Sequence, residues 1–191
     1  MAFTQCVTLL GALLLLGAFL PADACTCMLI DHPQRNYCDS NAVLQLKFIK
    51  EKMDGEMNGY EVSTSKVLKG DPALKNTTFI GTAESSASCK YEHPADAYGV
   101  DYVAAGRSAN GTLTVVSCNY KEKWSNLTPS QKSGLEKDYK PGCGKCQIMP
   151  HGSDNTVKNT CILGDENEAK DQINKQACLP DQYSTCAWKN I

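Results

Sequence analysis

Hydrophobic and polar positions alternate strictly where the regular part of the chain begins. From Ala42 onward, Leu44, Leu46 and Phe48 fall on one side and Gln45 and Lys47 on the other, the period-two pattern of a half-buried strand. Residues 50–59 are polar and rich in glycine and methionine, and read as a long hairpin connection. Alternation resumes over residues 60–68, with Tyr60, Val62 and Thr64 against Glu61, Ser63 and Ser65, and Gly70-Asp71-Pro72 closes that strand with turn chemistry. Residues 77–82 form a third, shorter strand. Segments 101–107 and 112–119 flank Asn110-Gly111, a strong hairpin signal, and their apolar positions Val103, Ala105, Leu113 and Val115 suit paired faces. Five strands, nearly all antiparallel, predict a small barrel or sandwich.

The period then changes. Thr128-Pro129-Ser130-Gln131 sets a hydroxyl cap, a proline at the first helical position and a capping-box glutamine in order. Leu135 and Tyr139 lie four apart on one face, and Pro141-Gly142 ends the helix. A second, shorter helix starts around Pro33. A helix packed on a five-stranded barrel fits an OB-type fold, with a sandwich as the alternative. After Cys146 there is little periodicity, and residues 146–191 hold four cysteines, which marks a small second domain that relies on its bridges.

Ahead of the strands, residues 7–20 carry no charge and include four consecutive leucines. The run is short for a bilayer span, which takes about 20 residues, and Ala22-Asp23-Ala24 follows as a small-x-small cleavage site. Residues 1–24 therefore read as a secretory signal, and the mature chain begins at Cys25. Losing one acid, Asp23, and no base moves the net charge from −2 to −1. That balance carries neither a nucleic-acid footprint nor a polybasic membrane anchor. Of 11 cysteines, Cys6 leaves with the signal, and the ten that remain argue for five disulfides in an exported chain. Roughly a thousand pairings of ten cysteines exist, so counting alone selects none. Asn-x-Thr acceptors at Asn76, Asn110 and Asn126 suit a secreted glycoprotein.

The chemistry-bearing motifs divide by context. Cys143-Gly144-Lys145-Cys146 has the spacing of a redox dithiol, yet it follows a helix and Pro-Gly instead of opening a helix, which favours structural disulfide halves. Neither a second Cys-x-x-Cys nor a His-x3-His accompanies His32, His93 and His151 to complete a zinc site. Hydrolase signatures are missing, and nothing reads as an enzyme. Ala22 stands where a lipoprotein cleavage site carries leucine.

Several segments together resemble the tissue inhibitors of metalloproteinases: Cys25-Thr26-Cys27 at the mature N-terminus, His32-Pro33-Gln34, residues 119–124 after Cys118, and Pro141 through Cys146. Ala177-Cys178-Leu179-Pro180 followed by Cys186-Ala187-Trp188 is similar to the family's ending. The resemblance implies an OB-fold (netrin-like) inhibitory domain over residues 25–145 and a small disulfide-rich domain over 146–191. It implies the pairs Cys25–Cys89, Cys27–Cys118, Cys38–Cys143, Cys146–Cys186 and Cys161–Cys178. Familiar members have twelve cysteines; one whole pair is missing from residues 151–160, so parity survives.

What the resemblance implies for function is specific. The free α-amine and carbonyl oxygen of Cys25 would chelate the catalytic zinc of a target protease, the chain bringing no cofactor of its own. Thr26 would enter the primed-side specificity pocket, with Cys27, Met28 and Leu29 along the cleft and Ser86, Ala87 and Ser88 on the unprimed side. Partners would be matrix metalloproteinases and disintegrin-type metalloproteases, bound one to one by a secreted monomer without nucleic acid or membrane insertion. Leu29-Ile30 stands where the family commonly has prolines, and the interval Cys27 to Cys38 is about one residue longer than the family's. A competing expectation is a netrin-like module that holds an extracellular ligand without inhibiting a protease.

Overall fold

The computed structural model describes residues 25–27, 32–154, 156–157 and 159–191. The expected signal, residues 1–24, lies outside the described residues, as do Met28, Leu29 and Ile30. The architecture is mostly β, with a few helices and five disulfides.

Strand β1 (Ala42–Asp54) and β2 (Met57–Lys69) run antiparallel along their whole length, from Val43 opposite Lys69 to Asp54 opposite Met57. Residues 50–59 are therefore paired strand with a two-residue turn, not a connection. Gly55 sits in that turn at φ 60°, a left-handed geometry that glycine adopts without a steric cost. The reason the alternation was invisible is positional. This end of the ribbon projects past the core, both its faces are exposed from Lys50 to Glu56, and pairs such as Lys50–Glu61 at 3.5 Å replace apolar contacts.

Strands β3 (Phe79–Gly81), β4 (Asp101–Ala109) and β5 (Thr112–Thr114) complete a closed ring in the order β1-β2-β3-β5-β4, with β4 pairing back to β1. Only the β3–β5 pairing in that ring is parallel. Strand β6 (Lys121–Lys123) adds to β4 from outside. β5 is shorter than the pattern of 112–119 implies, because Val115 makes a last bond to Gly81 and the chain then folds into the loop carrying Cys118.

The ring buries both of its surfaces. Leu44, Leu46, Phe48, Tyr60, Val62, Ile80, Tyr102, Ala104, Leu113 and Val115 fill the inside. Val43, Leu68, Val103 and Ala105 face outward against Tyr37, Leu127, Leu135 and Tyr139. Val103 and Ala105 thus lie on the opposite side from Leu113 and Val115, against the expectation of a shared face; β4 is apolar on both sides because both are covered.

Helix α1 (Pro33–Asp39) and α2 (Pro129–Ser133) supply that outer cover. The capping box forms as its residues predict, with Thr128 Oγ1 accepting from Gln131 N–H at 3.1 Å and Gln131 Oε1 accepting from Thr128 N–H at 2.9 Å. Beyond Ser133 the helix widens into a π-turn over Gly134–Asp138, closed by Tyr139 N–H donating to Gly134 C=O at 2.9 Å. The Tyr139 ring lies against Gly134, where an added Cβ would come within 2.3 Å of it, so the wider turn lets this buried ring fold back onto its own helix.

Residues 147–191 contain more order than their pattern suggests. β7 (Gln147–Met149) pairs parallel with β8 (Thr160–Ile162), and β9 (Gln176–Pro180) pairs antiparallel with β10 (Cys186–Asn190). Between them stands α3 (Glu166–Lys175), capped by Asp165 Oδ1 on the N–H groups of Asn167 and Glu168. One core cluster, Ile148, Cys161, Leu163, Cys178 and Cys186, lies wholly within these residues, while Ala177 belongs to the outer cluster of the ring. Gln34 reads the backbone of Cys178 in both directions, donating to its carbonyl at 2.8 Å and accepting from its N–H at 2.7 Å. Gly142 leaves room for this contact: a Cβ there would lie 2.4 Å from both Cys178 O and Gln34 Nε2. We expect Gly142→Ala to cost about 2 kcal/mol of stability through this overpacking, read as a lowered urea midpoint with an unchanged slope.

Candidate functional site

The segment Cys25-Thr26-Cys27 is tied by its two cysteines to the chain that follows β3 and to the loop that follows β5. Both cysteines are half-buried and Thr26 between them is exposed. Cys25 bonds to Cys89 and Cys27 to Cys118, each with Cα atoms 5.2 Å apart. The two bridges lie side by side, with Cys118 Sγ 3.6 Å from Cys25 Sγ and 3.9 Å from Cys89 Sγ. Three residues are thus pinned at two points, and the only freely presented side chain is that of Thr26.

Local chemistry shapes the two supports. Ser86, Ala87 and Ser88 form one exposed 3-10 turn beside the segment. Ser88 Oγ accepts from Ser85 N–H at 3.2 Å and donates to Ser85 O at 3.0 Å, which closes the turn on itself. Cys89 ends it at φ 63°, a left-handed geometry that a non-glycine residue holds at a cost of about 1 kcal/mol or more. The disulfide and the bond from Ser117 N–H to Cys89 O (2.9 Å) hold it there. The second support, residues 116–119, is tied by Asn119 Oδ1 accepting from Val116 N–H at 2.8 Å and by a bridge between Lys90 and Val116.

A residue that the motifs did not single out completes this loop. Lys121 Nζ donates to the carbonyls of Val116 at 2.7 Å, Ser117 at 3.2 Å and Asn119 at 2.6 Å, and lies 4.5 Å over the Tyr91 ring. Burial pulls its ammonium down to about 8. The segment 119–124 carries part of the family resemblance without marking this residue, because a lysine in a short polar strand is ordinary until three carbonyls are seen to converge on it.

The remaining cysteines pair as Cys38–Cys143, Cys146–Cys186 and Cys161–Cys178, which with the two above are the five pairs the resemblance implies. Cys143 and Cys146 therefore belong to different long-range bridges and form no dithiol. Sulfurs gather in two groups, Cys25 with Cys27 and Cys118, and Cys146 with Cys178 and Cys186. All six are oxidised and offer no thiolate to a metal. The histidines occupy separate settings. His32 packs on Tyr139 and Trp188, His93 stacks on Phe48, and His151 is exposed in a turn. Asn76, Asn110 and Asn126 are all exposed, Asn126 donating to Glu122 Oε1 at 2.8 Å. Among the described residues no helix is long and apolar enough to cross a membrane.

The family model for tissue inhibitor of metalloproteinase matches residues 23–188. The chain is 33% identical to chicken (Gallus gallus) metalloproteinase inhibitor 3 over 88% of its own length and 83% of that protein. It is 30% identical to human (Homo sapiens) metalloproteinase inhibitor 2, covering 94% of this chain and 87% of that one. A dogfish relative (Scyliorhinus torazame), metalloproteinase inhibitor 3, is 28% identical over 97% of this chain and 90% of its own.

Proposed function

The chain belongs to the tissue inhibitor of metalloproteinase family, and we propose that it is a secreted inhibitor of zinc metalloendopeptidases of the matrix metalloproteinase type. As a member of a family of inhibitors it is not an enzyme. In this reading the ring and its covering helices are an OB-type, netrin-like barrel, residues 25–145 are the inhibitory unit, and residues 146–191 are the small second unit. Glycans on Asn76, Asn110 and Asn126 fit an exported chain.

Exposed Thr26, held between two half-buried and bridged cysteines, is the observation that carries the proposal. Binding a protease cleft normally orders a peptide at a cost of about 0.5–1.5 kcal/mol per immobilised side chain. Two disulfides meet that cost at folding, so the segment arrives in its bound shape and is a poor substrate. Cleavage after Ala24 gives Cys25 an α-amine with a pKa of roughly 8, so a neutral, ligating fraction exists at physiological pH. The amine and the carbonyl oxygen of the same residue span one coordination sphere. Catalytic zinc sites keep an open position for such a ligand, and the metal belongs to the target. Cys27, Met28 and Leu29 continue along the cleft, and Ser86, Ala87 and Ser88 occupy its other side.

The test is titration of the mature protein, its Cys25 start verified by N-terminal sequencing, against catalytic domains of several matrix metalloproteinases and a disintegrin-type relative. We expect tight inhibition with a 1:1 end point. A correctly processed chain that inhibits none of them would instead be a netrin-like ligand-binding module. Thr26→Gly should weaken inhibition about tenfold by emptying the specificity pocket, with an unchanged melting temperature because Thr26 is exposed.

A further inference from the structure

We infer that Lys121 is a positioning residue for inhibition, an internal cation that fixes the Cys118 loop and through it the pose of Cys25-Thr26-Cys27. The inference rests on the inhibitory reading above and adds to it a residue that touches neither the target nor its metal.

The geometry runs in one unbroken path. Lys121 Nζ donates to the carbonyls of Val116, Ser117 and Asn119, the residues on either side of Cys118. Cys118 is bonded to Cys27, and its sulfur also touches those of Cys25 and Cys89. The same loop holds the second support, since Ser117 N–H bonds Cys89 O and Ser117 Oγ donates to Lys90 O. Both disulfide anchors of the exposed segment therefore lean on residues 116–119.

Three backbone carbonyls converging from a four-residue loop repel one another unless a cation sits among them. An ammonium supplies three donors, which matches the three acceptors here. Among the described residues Lys121 makes no ion pair, so the carbonyls are its counterpart. The cation is in turn rooted in the ring. It lies over Tyr91, whose N–H donates to Thr82 Oγ1 at 2.8 Å, whose hydroxyl is 2.8 Å from His93 Nδ1, and whose ring belongs to the inner core. Lys121 thus connects the packed interior to the loop that aims the exposed segment.

Lys69 offers an internal control. Its Nζ donates to the carbonyls of Tyr37 at 2.7 Å and Cys38 at 3.0 Å and lies 5.0 Å over the Tyr37 ring, the same kind of clamp on a cysteine that is not bonded to the exposed segment. A purely structural role predicts equal consequences for removing either lysine.

The experiment compares Lys121→Met, Lys121→Arg and Lys69→Met with the parent protein. Each is measured for melting temperature, inhibition constant against one matrix metalloproteinase catalytic domain, and amide hydrogen exchange over residues 116–119. We expect Lys121→Met to weaken inhibition about 30-fold, mainly through faster dissociation, and to speed exchange in the loop. Lys121→Arg should recover most of the loss, and Lys69→Met should lower the melting temperature while leaving inhibition within about threefold. A double substitution of Lys121→Met with Thr26→Gly should lose less than the product of the single effects, because a mis-aimed Thr26 has little left to lose. Equal inhibition by Lys121→Met and parent, or equal losses for Lys121→Met and Lys69→Met, would overturn the inference. If the parent inhibits nothing, the inhibitory reading fails, and the exchange data alone decide whether Lys121 clamps the loop. Should Lys121→Met not fold, Lys121→Gln, which removes the charge but keeps two methylenes of the stem and two donors, replaces it in every comparison.

Discussion

One alanine added ahead of Cys25 is expected to abolish inhibition, raising the inhibition constant by about 1,000-fold or more while leaving the fold intact. The extension converts the α-amine into a peptide nitrogen, whose lone pair is delocalised and no longer a ligand, and it puts a residue where the metal must approach. Losing one of two chelating atoms together with the steric access is worth about 4 kcal/mol, which converts to that factor. The disulfides from Cys25 and Cys27 are untouched, so melting temperature and far-UV spectra should match the parent. Carbamylation of the parent's amine should reproduce the loss without any change of sequence. Full potency in the extended protein would contradict chelation by Cys25 and move the search to the side chains of Thr26 and its neighbours.

The second large effect concerns pH. His32 is completely buried and uses both ring nitrogens: Nδ1 accepts from Gln34 N–H at 3.1 Å as the cap of α1, and Nε2 donates to Gln172 O at 3.2 Å. That pattern requires the neutral ring. Burial pulls its pKa from 6.5 down to about 4, only partly opposed by backbone hydrogen bonds to Gln172 and Gln176. Between those values the unfolded chain binds a proton that the folded chain refuses. The contribution of His32 to stability is therefore complete above pH 6.5 and declines as pH falls toward 4, by about 3 kcal/mol in total. Urea unfolding of the disulfide-intact protein at pH 7 and pH 4 should show this loss. His32→Asn keeps a capping oxygen and cannot titrate in this range, so the gap between its two measurements should be smaller than the parent's by about the same 3 kcal/mol. A parent and variant with parallel pH profiles would mean that His32 is not held neutral.

Both effects depend on residues that the sequence names with unequal clarity. The reading of Cys25 as the mature start rests on contiguous residues: an apolar run, Ala22-Asp23-Ala24 and a cysteine after it, each acting within a few residues. The capping box at Thr128 and Gln131 is equally local, and so is the alternation that puts Leu44, Leu46 and Phe48 inside the ring. His32 carries no such sign. Its cap on Gln34 is local, but its partner Gln172 is 140 residues away, and burial arises only when α3 and Trp188 close over it. The ribbon over residues 50–59 escaped because pairing beyond the core needs no apolar face. Helix α3 escaped because it buries a narrow strip, Ala169, Gln172 and Ile173, although Asp165 and Glu168 form a starting signal of the expected type.

Signals that live in contiguous residues, namely strand period and helix caps, were determined by the sequence alone, because each depends on spacing along the chain. The family resemblance likewise rests on contiguous motifs. Only the tertiary structure decided that the strands close into a ring, that both surfaces of β4 are buried, that His32 is enclosed against Gln172 and Trp188 and that three carbonyls meet at Lys121. Those outcomes follow from desolvation and from dipoles converging across long separations, and neither exists until distant segments have packed.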